Sequence, residues 1–324
     1  EMTSSLVGSE MCIRDRIYGI YCKRKFEECT YRFVIDRNLL KEMMGYACWG
    51  FLGNTAYIFN TQGVNIIINL FFGVVLNAAR GIVTQVEAAV MQFVNNFTTA
   101  ISPQITKSYA SGNKEYMFSL ICRGAKFSFF LLLLFLIPIE FEANTLLKLW
   151  LGNVPEFAPL FLQLSLIGTA MVLLGNTGFT AIMATGNIRN YQIVVTLVGC
   201  LVFPLTWIAY KLGFPAFTTY VIYIVIYGIL DWIRLLFMRK LLGFKVMLFV
   251  RNVIYPILIV TVLSVIVPTV ISMNMAPSVF RFIFLTVGSF ITTLACIYFG
   301  GLDRNERKTV LMKLRRKISI LTNK

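Results

Sequence analysis

The chain has 324 residues, of which 57% are hydrophobic and only 14% charged, and its mean hydropathy is +0.74. An average soluble domain is about 25% charged, so a water-soluble enzyme is excluded and the composition reads as an integral membrane protein. The absence of histidine removes His-based triads, His-ligated zinc and a histidine general base, and the net charge of +15 reads as loop charge that sets orientation rather than as a nucleic-acid surface.

Residues 1–16, EMTSSLVGSEMCIRDR, lack an apolar core and are no signal peptide. The run SSLVGSEMCIRDR resembles translated sequencing adapter, so these residues are expected to be an artefact, with a longer natural protein upstream. Residues 17–37 form a basic linker expected on the cytoplasmic side.

A helix needs about 20 mostly apolar residues to cross a bilayer. Eight such stretches follow, near residues 38–72, 74–110, 114–140, 156–185, 191–212, 216–238, 246–272 and 278–299. The expected fold is therefore an all-α polytopic bundle of about eight transmembrane helices. The first stretch is longer than one crossing, which predicts a break at Thr61–Gly63 or a protrusion beyond the membrane. Between the stretches, cations alternate. Twenty-three basic residues collect on one side and two, Lys148 and Lys211, on the other. This asymmetry places both ends in the cytoplasm. In the tail, residues 303–324, Val310, Leu311, Leu314 and Ile318 recur at helical spacing opposite cations. That pattern fits a helix on an anionic inner leaflet, or equally a solvated tail that only fixes topology.

The second stretch is unusual. Asn77, Gly81, Thr84, Ala88, Gln92, Asn95, Thr99 and Ser102 fall within an arc of roughly 80° at about 100° per residue. Polar groups in hydrocarbon are costly. The face either packs on other helices through small residues and hydrogen bonds or lines a water-filled cavity. Asn77, Arg80, Gln92, Asn95 and Thr99 are the candidate cavity-lining and substrate residues. Arg80 and Glu87 stand at the edge of this face, about 10 Å apart along the axis, too far for an i,i+4 pair. Arg80 has the alternative of snorkelling to the outer interface. Glu87 is deeper, and is either a proton-coupling group or the structural partner of a cation on another helix.

Other polar groups point to packing. Asp231 and Arg234 read as a structural i,i+3 pair. Asn176, Thr177 and Thr180 lie beside Gly175 and Gly178 in a polar helix middle. The seven cysteines are scattered without C-x-x-C spacing and read as reduced, small hydrophobes. No Gly-Lys phosphate loop, nucleophile elbow or metal-spaced carboxylate cluster occurs. No catalytic residue, metal or cofactor is expected, and the chain is not expected to be an enzyme.

Five motifs carry a resemblance. GVNIIINLFFG at 63–73 with NAARGI at 77–82 resembles the seventh and eighth helices of polysaccharide flippases. SPQITKSYA at 102–110, LWLGNVP at 149–155 and ATGNIRNYQ at 184–192 are similar to the same proteins. These are oligosaccharide-lipid exporters of the multidrug/oligosaccharidyl-lipid/polysaccharide superfamily, including O-antigen flippases. The match extends over residues 17–302. The resemblance implies about fourteen helices in two pseudo-symmetric lobes that alternate access by rocking. Residues 38–243 would be the second six-helix lobe and 244–302 two additional helices, with the N-terminal lobe missing. It also implies export of an undecaprenyl-pyrophosphate-linked oligosaccharide across the bacterial cytoplasmic membrane for surface polysaccharide synthesis. The expected partners are that lipid-linked substrate, membrane lipids and the missing lobe, with no nucleic acid. In this scheme Arg80 faces the pyrophosphate, Asn77, Gln92 and Asn95 hydrogen-bond sugar or water, and Glu87 carries the coupling proton. The rival expectations are a multidrug and toxin extrusion antiporter, a non-transporting membrane scaffold and, third, a polytopic acyltransferase or polymerase.

Overall fold

The computed structural model describes residues 2–26, 29, 36–304, 306–308 and 312. The chain divides into two compact units, residues 1–45 and 46–324. In the first, α1 (Met2–Lys25) is a single helix in which Lys25 Nζ lies 5.5 Å from the centre of the Tyr21 ring. It ends in Lys23, Arg24 and Lys25, cations that suit a helix C-terminus. Of the amphipathic tail expected over residues 303–324, only residues 303, 304, 306–308 and 312 are among those described.

The second unit is an all-α polytopic bundle, with no strand among the described residues. Its elements are the main part of α2 (Arg37–Ala110), then α3 (Lys114–Leu151), α4 (Ala158–Ala184), α5 (Arg189–Cys200), α6 (Val202–Lys211), α7 (Thr218–Leu242), α8 (Val246–Phe249), α9 (Tyr255–Asn274) and α10 (Val279–Cys296). Seven helical stretches are long and apolar enough to cross a membrane. The protein is thus a multi-pass helical membrane protein.

The first two expected stretches fall within one element, Met43–Ala110, so the seven helical stretches hold all eight. The break lies not at Thr61–Gly63, which is helical, but at Gly73, with φ 81° and ψ −179°. Only glycine occupies that region without steric penalty. Tyr57 and Met91 line the same cavity, although a straight helix would hold them about 50 Å apart. Gly73 therefore turns the chain back, and residues 46–72 and 74–110 form two legs.

Prolines shape the other spans. Pro204 lacks the N–H that would bond to the Cys200 carbonyl and its ring crowds that group, so α5 stops at Cys200 and α6 restarts after Leu201. Pro256 does the same to residue 252, and residues Val250–Ile254 relax into a π-turn. The expected third span ended at Glu140, whereas α3 continues to Leu151 with a non-helical residue at Glu142 (φ −127°, ψ 25°). Glu142 stays buried because Arg281 Nε donates to its Oε1 at 2.6 Å and Thr145 Oγ1 donates to its Oε2 at 2.5 Å.

The core lies around α3 and α4. The second leg of α2 packs on it through Ala79, Val83, Val90, Val94 and Ile105, all buried. Against α4, helix α7 approaches closely at glycines. A Cβ on Gly168 would touch the Tyr223 ring, one on Gly178 would meet Met238 Sδ at 2.7 Å, and one on Gly175 would overlap the Arg234 guanidinium. Thr177 Oγ1 donates to the Ile121 carbonyl at 3.0 Å. The polar middle of α4 is thus packing, as its glycine neighbours indicated.

Candidate functional site

Three cavities dominate the second unit. A groove of about 580 Å³ runs between α3, α4, α7 and α9 and is walled almost entirely by apolar side chains. Asp231 and Arg234 stand in its wall as an ion pair, 2.8 Å apart, with Arg234 Nε donating to Tyr191 Oη at 3.0 Å and Asp231 Oδ2 buried without a partner among the described residues. They form the structural pair that their spacing predicted. A second cavity, about 460 Å³, lies beside Arg123, Lys126 and Glu306. The third, about 370 Å³, is different in kind: it lies between the two legs of α2, α4 and α7 and carries a cation, a carboxylate and four tyrosines.

This third cavity is built from helical periodicity. From α7 come Tyr220, Tyr223 and Tyr227, at i, i+3 and i+7 on one face. The rings of Tyr223 and Tyr227 are 4.1 Å apart at their centres. The first leg of α2 supplies Tyr57, Asn60 and Thr61, and the second supplies Arg80, Thr84 and Glu87. Helix α4 contributes Ser165 to the lining, and Thr169 stands one turn further along.

The two charged groups have different environments. Glu87 is tied to α4: Ser165 Oγ donates to its Oε2 at 2.6 Å and Thr169 Oγ1 to its Oε1 at 2.8 Å. Arg80 has a buried Nη1 with no hydrogen-bond partner among the described residues. The same holds for Tyr220 Oη and Asn60 Oδ1, whereas Asn60 Nδ2 donates to the Gly199 carbonyl at 3.1 Å. Buried polar atoms are normally paired, and an unpaired one costs about 1–3 kcal/mol. Three unpaired atoms around one cavity mark it as a place for a polar guest or water.

Of the residues expected to face a cavity, Arg80 and Glu87 line this one. Asn77, Gln92, Asn95 and Thr99 are outside its lining. Gln92 and Thr99 are exposed, Asn77 and Asn95 half-buried. The reason is mainly axial: the leg lines the cavity from Arg80 to Met91, about three turns, and Asn77 lies before that stretch, Asn95 and Thr99 beyond it, and Gln92 at the far angular edge of the polar face. Thr84 and Ala88 line the cavity and are exposed, and beyond it the face stays open at Gln92 and Thr99. Sequence reasoning missed Tyr57, Asn60, the three α7 tyrosines and the Ser165–Thr169 hydroxyl pair. The spacing of 220, 223 and 227 and of 165 and 169 was a usable signal, but it took the fold to bring these faces to Glu87.

Chemically, the cavity presents hydrogen-bond donors, one guanidinium and aromatic faces. Among the described residues no group of His, Cys, Asp and Glu side chains is placed to hold a metal ion. Comparison with known proteins gives no matching family model, no matching curated protein and no matching solved structure.

Proposed function

We propose that the chain is the second lobe, with two additional helices, of a flippase that exports a lipid-linked oligosaccharide across the bacterial cytoplasmic membrane, its C-terminus in the cytoplasm. The substrate class is an undecaprenyl-pyrophosphate-linked repeat unit for surface polysaccharide synthesis. The observation that carries this reading is Arg80: a guanidinium within a membrane-spanning helix, with a buried, unpartnered Nη1 in a tyrosine-rich cavity. A cation held in that state favours an anionic group arriving from outside the chain. Tyrosine rings, with the Tyr220 hydroxyl unpartnered, suit a sugar, whose C–H faces stack on aromatics while its hydroxyls hydrogen-bond.

The open polar face of the second leg supports the same reading. Thr84, Gln92 and Thr99 are exposed on a span, a position too costly against lipid tails. In a two-lobed transporter that face looks across a water-filled cavity toward the first lobe, which in this proposal precedes residue 17 in the complete protein. Glu87, lying between Arg80 and α4, is the coupling carboxylate.

The test is export by the complete transporter in a flippase-deficient bacterium. Surface glycan is expected with the wild-type protein, a roughly ten- to hundredfold loss of transport with Arg80→Gln, and none with Glu87→Gln. Resistance to organic cations with no glycan export would replace this reading with a multidrug antiporter.

A further inference from the structure

Three short oxygen–oxygen contacts converge where the second leg of α2 meets α4. Ser165 Oγ is 2.6 Å from Glu87 Oε2. Thr169 Oγ1 is 2.8 Å from Glu87 Oε1 and also 2.9 Å from the Ser165 carbonyl oxygen. A hydroxyl has one proton to donate and lone pairs to accept with. Ser165 directs its proton to Oε2. Thr169 has one proton and two acceptors. Turned to Glu87 Oε1, that proton leaves the Ser165 carbonyl to its helical bond; turned to the Ser165 carbonyl, it leaves Thr169 Oγ1 free to accept a hydrogen bond from a protonated Glu87.

We propose that Glu87, Thr169 and Ser165 form a two-state proton relay across the α2–α4 seam, with Thr169 as the positioning residue that reverses its hydrogen bond. In the loaded state Glu87 Oε1–H donates to Thr169 Oγ1, Thr169 donates to the Ser165 carbonyl, and Ser165 Oγ–H donates to Oε2. In the discharged state the Glu87 proton has passed to water in the cavity. Thr169 turns its hydrogen to Oε1, and the Ser165 carbonyl keeps only its helical bond from the Thr169 N–H. One O–H bond forms or breaks, on Glu87, and the heavy atoms stay in place.

The device answers a specific difficulty. A carboxyl group inside a membrane span needs donors when ionised and an acceptor when neutral, and a fixed donor serves only one state. A threonine hydroxyl, free to rotate, serves both. Glycine, alanine or valine at position 169 offers neither. The other titratable or charged groups around the cavity are Tyr57 from the first leg, Arg80 from the second leg, as is Glu87 itself, and Tyr220, Tyr223 and Tyr227 from α7. Among the described residues Arg80 makes no ion pair with Glu87, so the hydroxyls of α4 are the direct partners. Loading also adds one hydrogen-bond donor to the seam, which ties proton binding to the contact between α2 and α4. The inference rests on the reading of Glu87 as the coupling group.

Infrared difference spectroscopy of the chain in lipid nanodiscs, through a pH titration, tests it. Glu87→Gln identifies the carboxylic C=O band of Glu87 by its loss. The band is expected at a hydrogen-bonded position in the wild type and in Thr169→Ser, and at a higher frequency in Thr169→Val and Thr169→Ala, where the acid proton has lost its acceptor. A Glu87 band that stays in place in both of those variants overturns the role of Thr169 and leaves Glu87 a proton carrier. No Glu87 band at any pH overturns the relay and the coupling reading together.

Discussion

Lys126 and Glu306 lie 180 residues apart in the chain and 2.7 Å apart in the structure, both buried. Lys126, one of the twenty-three cations counted on the basic side, is a fastener that holds the segment after α10 against α3. Glu306 is completed by the Asp303 N–H at 3.0 Å and by Arg123 at 3.6 Å. At the opposite end of α3, Glu142 and Arg281 meet at 2.6 Å. Residues 126 and 142 are about 24 Å apart along a helix, so two ion pairs clamp the C-terminal helices to α3 near its two ends.

Breaking the buried pair on one side should be costly. Lys126→Met leaves Glu306 without its closest cation and is expected to destabilise the protein by about 3–5 kcal/mol, whereas Lys126→Met with Glu306→Leu should return to within about 1 kcal/mol of wild type. Thermal denaturation in detergent checks this; equal losses in the single and double variants would refute the pairing.

Arg281→Met should likewise cost about 3 kcal/mol by stranding the buried Glu142 carboxylate. Glu142→Gln should cost less, because Arg281 Nη1 retains the Met275 carbonyl at 3.1 Å. The order of the two melting temperatures is the readout.

Two glycine substitutions separate backbone strain from crowding. A Cβ on Gly73 meets nothing within 4 Å, so Gly73→Ala is expected to cost about 1–3 kcal/mol purely through its positive φ. Gly175 is helical, but its Cβ would overlap Arg234, so Gly175→Ala should cost about 1–3 kcal/mol through overpacking. In a background with both Asp231→Ala and Arg234→Ala, which removes the two side chains that this Cβ would meet, the added cost of Gly175→Ala should shrink while that of Gly73→Ala stays unchanged.

Thiol labelling maps the open face of α2. In a cysteine-free background, Thr84→Cys, Gln92→Cys and Thr99→Cys in lipid nanodiscs should react with a water-soluble maleimide. Val83→Cys and Val94→Cys, both 0% exposed, should not. Labelling at all five positions would contradict the packing of this leg on α3 and α4, and labelling at none would favour a scaffold whose polar face is sealed.

Much of this protein was legible without coordinates. Hydropathy located every span to within a few residues, apart from the end of α3, because a membrane helix must satisfy its own backbone and cover itself with apolar side chains. The Asp231–Arg234 pair and the packing role of Thr177 were equally readable, being local to one helix or flagged by adjacent glycines. The division at Gly73 was legible as the boundary between the stretches 38–72 and 74–110, but not that the chain turns back there: glycines also stand at 63 and 81, and nothing local says which one adopts positive φ.

The sequence by itself determined an all-α membrane protein, its spans, and the two charged residues that stand apart on the second leg of α2. Only the tertiary structure decided what those charges meet. Whether a carboxylate at position 87 faces lipid, cation or hydroxyl depends on the rotation of α2 about its axis and on which face of α4 lies opposite. Both are set by side-chain packing between segments about 80 residues apart (|i−j| of 78 and 82 for the Ser165 and Thr169 contacts). Burial of Ala79, Val83, Val90 and Val94 fixes that rotation, and in doing so it turns Glu87 toward Ser165 and Thr169 and leaves Gln92 and Thr99 open.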